Sequence, residues 1–103
     1  MFNINGIDWG IKLVSPNHPK LRRSNGSLAL GACDNTTHLI YMSETIPEYK
    51  LKKVLCHEIT HAAMFSYQVN MTIDQEELVA DLIATYGDEI IFITNKIFKK
   101  IKG

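Results

Sequence analysis

Residues 54 to 63, VLCHEITHAA, carry no lysine, arginine, aspartate, asparagine or glutamine. The strongly polar side chains in this stretch are His57, Glu58 and His61, joined only by Cys56 and Thr60. A segment with so few solubilising groups is one that a fold buries, and buried imidazoles and carboxylates need partners. The apolar residues around it, Leu51, Val54, Leu55, Ile59, Ala62, Ala63 and Phe65, keep helical spacing to about Tyr67. The rest of the domain therefore has to supply a core for one face of this helix and partners for its polar groups.

The chain around this helix divides into two halves. Ile7, Trp9, Ile11 and Leu13 alternate with Asp8, Gly10 and Lys12, the period of a half-buried strand. Pro16 and Pro19 punctuate a turn-rich connection, and Asn25-Gly26 predicts a tight reversal. Two further strands are expected at Ser27–Cys33 and Thr37–Ser43, joined by a turn at Asp34-Asn35-Thr36. Beyond them Thr45, Pro47 and Glu48 match a capping box with proline in the first turn. A second helix is expected to start at a capping Asp74, with Glu77 at its third position and an apolar side of Leu78, Leu82 and Ile83. Gly87 either ends that helix or weakens it. Ile90, Ile93, Ile97 and Ile101 continue a stripe that reads as core, with the lysines of NKIFKKIKG suiting a helix C-terminus. The expectation is one α+β domain spanning residues 1–103: a small sheet of about three strands, then the HEITH helix and one or two more.

Composition excludes several functional classes. Eleven basic and eleven acidic residues give a net charge of zero, which argues against a nucleic-acid partner. No apolar run approaches the ~20 residues of a membrane span. The start MFNINGIDWG has no basic, apolar leader, and two cysteines make no disulfide framework, so a cytoplasmic location is expected.

Two histidines at i and i+4 lie one above the other on a helix, so His57 and His61 can aim ring nitrogens at one zinc ion. Glu58, about 100° round the helix, sits beside such a metal without ligating it. There a carboxylate can act as general base toward a water that zinc has made acidic. A catalytic zinc needs a third protein ligand and an open position. The positions that would continue the motif to a third histidine hold Met64 and Tyr67, and the other histidines are His18 and His38. The carboxylates of DQEELVAD are better placed. Glu77 and Asp81 share a face, so Glu77 can ligate while Asp81 accepts the second ring N–H of a histidine. Glu76 is the alternative ligand. Cys56 faces away from the histidine pair and reads as a packing thiol.

HEITH followed by a helix with E-x-x-x-D resembles the gluzincin clan of zinc metallopeptidases. The small size resembles the single-domain minigluzincins. LCHEITHA and EELVADLIATYGDEI are also similar to short phage and prophage proteins grouped with ImmA/IrrE-type metallopeptidases. The resemblance covers roughly residues 37 to 91. It implies a minimal zincin-like fold and a zinc-dependent endopeptidase with His57, His61 and Glu77 as ligands to one Zn2+. It makes Glu58 the base and later proton donor, with Asp81 orienting a histidine. It also implies that the strand before the active-site helix, here Thr37–Ser43, is the sheet edge that pairs with a peptide substrate. Larger members place an oxyanion-stabilising side chain in a C-terminal subdomain, for which about 26 residues after Glu77 leave little room. Tyr67, Tyr86 and His38 have suitable chemistry. A latent or non-catalytic zinc-stabilised interaction module, phage-encoded and working with a regulatory or activating partner protein, is the alternative.

Overall fold

The structure is a computed structural model describing all of residues 1–103. Four strands, β1 (Phe2–Ile4), β2 (Ile7–Val14), β3 (Gly31–Asp34) and β4 (Leu39–Ser43), form one sheet in the order β1-β2-β4-β3. β1 and β2 make an antiparallel hairpin about Asn5-Gly6, both at positive φ, where a side chain is strained and glycine is not. β2 and β4 run parallel, with Gly10 opposite Leu39 and Val14 opposite Ser43. β3 and β4 pair antiparallel. Helices α1 (Glu48–Ser66) and α2 (Ile73–Lys102) follow, making an α+β domain.

α1 lies over the β3–β4 side of the sheet. Trp9, Ile40, Met42 and Ala62 form the core between them, each 1% exposed or less, with Val54, Leu55, Ile59 and Phe65 packed around. Trp9 Nε1–H donates to Ser66 Oγ at 2.8 Å, which ties β2 to the last turn of α1 and satisfies the buried indole. On the opposite face Val14, Leu21 and Tyr41 form a smaller cluster beneath the 3-10 turn Pro19–Leu21. No helix is long and apolar enough to cross a membrane.

Several local expectations are corrected. The sheet has four strands, because β1 is too short to show a period of its own. Regular pairing in the third strand region starts only at Gly31; before it, Arg22 and Leu28 make an isolated bridge around the turn at Gly26. The expected edge strand is interior: β4 is paired on both sides, and β3 is the edge. The expected alternation of β2 stops at Trp9: Ile11 and Leu13 are 42% and 66% exposed, and Val14 is buried instead, in the cluster with Leu21 and Tyr41. Pro47, not Thr45, precedes the first turn of α1; the Thr45 hydroxyl instead bonds Ser43 Oγ at 2.9 Å. Thr72, not Asp74, caps α2, in a reciprocal capping box with Gln75. α2 also runs through Gly87 without a break, and its Ile90–Ile101 stripe is not core. Ile90, Ile93, Ile97 and Ile101 are 51%, 45%, 50% and 81% exposed.

Candidate metal centre

α1 and α2 are joined by a short loop and pack against each other through their facing sides, where Ala80 is fully buried. The small side chain at Ala80 lets the first turns of α2 come close to the middle of α1. This approach brings the carboxylates of DQEELVAD against the histidines of HEITH.

The contacts are ordered. His57 Nε2 and His61 Nε2 lie 3.1 Å apart. The Glu77 carboxylate reaches both, Oε2 at 3.2 Å from His57 Nε2 and Oε1 at 2.8 Å from His61 Nε2. On the other side of each ring, Nδ1 meets a different carboxylate: His57 with Asp81 at 3.0 Å and His61 with Glu76 at 2.8 Å. Asp81 and Glu76 can each accept a hydrogen bond from the Nδ1 they face, the arrangement that leaves Nε2 free to ligate. Both Nε2 atoms face each other and the Glu77 carboxylate. Three potential ligand atoms converging on one point suit a cation. Tetrahedral ligands 2.0–2.1 Å from a zinc-sized ion stand roughly 3.3 Å apart, close to the spacing found here. His57, His61 and Glu77 can hold a metal ion.

Glu58 is 7% exposed and does not join this triangle. Burial is the main force raising its carboxyl above the usual range; His57 and His61 oppose the shift, Glu77 adds to it, and Arg23 pulls it down. Gly31 on the edge strand makes room for it. A Cβ at that position would stand 3.0 Å from Glu58 Cγ and 3.2 Å from both Met42 Sδ and Val54 Cγ1.

The triad opens into two adjoining clefts of about 730 and 610 Å³ that share Arg23, Gly31, His57, Glu58 and Glu77. One continues along β3 toward Cys33 and Lys20, the other between Tyr49, Lys53 and Asp81. Lys20 is bound to Asp34 at 2.8 Å, which holds the Asp34 carboxyl down at about 2. Arg23 belongs to no ion pair and lines both clefts. Cys33 lies near the carboxylates but outside the donor triangle; burial, then Glu58, Asp34 and Glu76, push its thiol up to about 12.

No protein-family model, curated protein or solved structure matches this chain. The likeness to gluzincins therefore rests on HEITH, Glu77 and Asp81 themselves.

The structure gathers five of the residues singled out in the sequence around the two clefts: His57, His61, Glu77, Asp81 and Glu58. Glu76, considered as an alternative ligand, instead holds the far nitrogen of His61. The three residues considered for oxyanion stabilisation are elsewhere. His38 packs its ring 5.0 Å from that of Trp9, while Tyr67 and Tyr86 are 60% and 53% exposed, and none lines either cleft. His18 caps the 3-10 turn and stacks on Tyr41. Arg23 and Gly31 went unremarked in the sequence. Asn25-Gly26 marks the turn that carries Arg23, but only the tertiary fold shows what that turn faces.

Proposed function

We propose that this protein is a zinc-dependent endopeptidase of minimal gluzincin type. The observation that carries the reading is the convergence of two imidazole Nε2 atoms and one carboxylate beside a buried fourth group, Glu58, at the meeting of two clefts. A donor set of two imidazoles and a carboxylate with an open side suits zinc in its catalytic form. Zinc bound there supplies Lewis acidity, lowering the pKa of water and polarising a carbonyl.

The chain's own residues supply the remainder. Asp81 and Glu76 fix the histidine tautomers and hold Nε2 inward. Glu58 takes a proton from the water that adds to the scissile carbonyl and passes it to the amine nitrogen as the C–N bond breaks. A carboxyl raised by burial suits both halves of that transfer, because it accepts and releases a proton nearer neutrality. The free edge of β3 beside the clefts suits an extended peptide held by main-chain hydrogen bonds, which positions a scissile bond without demanding particular side chains.

Glu58→Gln keeps the size of the side chain and removes its basicity. The expected result is full zinc occupancy with peptide hydrolysis lowered by a factor of roughly 10²–10⁴. Undiminished hydrolysis in this variant removes Glu58 from the mechanism. One observation favours the second reading, a latent or non-catalytic zinc-stabilised interaction module: none of His38, Tyr67 and Tyr86, the residues considered for oxyanion stabilisation, lines a cleft. That reading expects zinc to stabilise the fold while no peptide is cut and Glu58→Gln changes nothing.

A further inference from the structure

Every residue from Asp88 to Gly103 is exposed, although all but the last continue α2. This half of the helix carries Ile90, Ile91, Phe92, Ile93, Ile97 and Phe98, between 45% and 68% exposed. A helix of about four turns with no packing is marginal in water, and one with this much apolar surface is expected to be covered. The molecule is correspondingly elongated, 52 × 30 × 27 Å.

The pattern specifies the cover. Tyr86, Ile90, Ile93 and Ile97 fall at alternating spacings of four and three, the seam of a two-helix pairing. Ala80, Ile83 and Ala84 lie toward α1, whereas Tyr86, Ile90, Ile93 and Ile97 are each about half exposed, so the domain leaves the seam accessible. Glu89 and Lys96 flank it on the same side, one helical heptad apart. Placed antiparallel about a two-fold axis, Ile90 meets Ile93 of a second copy, Tyr86 meets Ile97, and Glu89 stands beside Lys96 at both ends. A parallel pairing sets Glu89 beside Thr94 and Lys96 beside Ile101, with no ion pair.

We propose that a second copy of this chain covers the exposed half of α2, forming an antiparallel two-helix dimer through Tyr86, Ile90, Ile93 and Ile97 with reciprocal Glu89–Lys96 pairs. The dimer is independent of the metal centre, which lies at the other end of α2.

Sedimentation velocity of the full chain across a concentration series tests this, with zinc content and helical circular dichroism followed in parallel. The wild type is expected to be dimeric above a dissociation constant on the order of 10 µM. Ile93→Glu should be monomeric with zinc content unchanged. Glu89→Lys and Lys96→Glu should each weaken the dimer about tenfold, and the double exchange should restore it. Should Ile93→Glu unfold, the charge exchanges still decide, since they alter only exposed side chains. A wild type that stays monomeric at ~1 mM overturns the proposal. So does a monomer that binds phosphatidylserine vesicles through this helix, or a double exchange that fails to restore association.

Discussion

At the scale of single residues, the metal centre depends on which side of each imidazole carries the proton. His57 and His61 present Nε2 to the centre, and Asp81 and Glu76 lie against their Nδ1 atoms as hydrogen-bond acceptors. The two supports differ in setting: the Glu76 side chain is 17% exposed and that of Asp81 66%. Removing either support leaves the ligands in place but frees the rings to turn or change tautomer. Asp81→Ala and Glu76→Ala are each expected to weaken zinc binding 10–100-fold, measured by competition with a chromophoric chelator. The better-buried Glu76 should show the larger loss. Loss of zinc comparable to that on removing a histidine would make the residue itself a ligand.

At the scale of elements, β3 and α1 hold Glu58 between them, and Gly31 sets how closely they approach. Gly31→Ala places a methyl group against Glu58 Cγ, Met42 Sδ and Val54 Cγ1. The expected cost is about 1–3 kcal/mol in denaturant unfolding, with zinc retained and hydrolysis reduced because Glu58 is displaced. Unchanged activity would show that the position of Glu58 tolerates movement. These elements were unequally legible in the sequence. The HEITH helix was legible because its flanks exclude charged residues, and Glu77 and Asp81 because they share a helix face. Strand order was not, since β4 enters the middle of the sheet through a parallel pairing with β2 that no local pattern encodes. The caps were misplaced by two residues because Thr72 with Gln75 and Asp74 with Glu77 are equally good local signals, and packing of α2 on α1 decides between them. The isoleucine stripe has core periodicity in either setting; only the extent of the domain shows that nothing in one copy covers it.

At the scale of the whole molecule, a small sheet and two helices divide the work. The sheet and α1 form the core and present the edge strand. The first half of α2 closes the metal centre, and its second half extends away as an apolar arm. Everything proposed for activity depends on His57, His61 and Glu77 holding a metal ion. Native mass spectrometry of the purified chain supplied with zinc near neutral pH, beside Glu77→Ala, tests this most directly. The account predicts one zinc per chain in the wild type, lost or much weakened in the variant. A wild type that binds no zinc, or a variant that binds it undiminished, would contradict it.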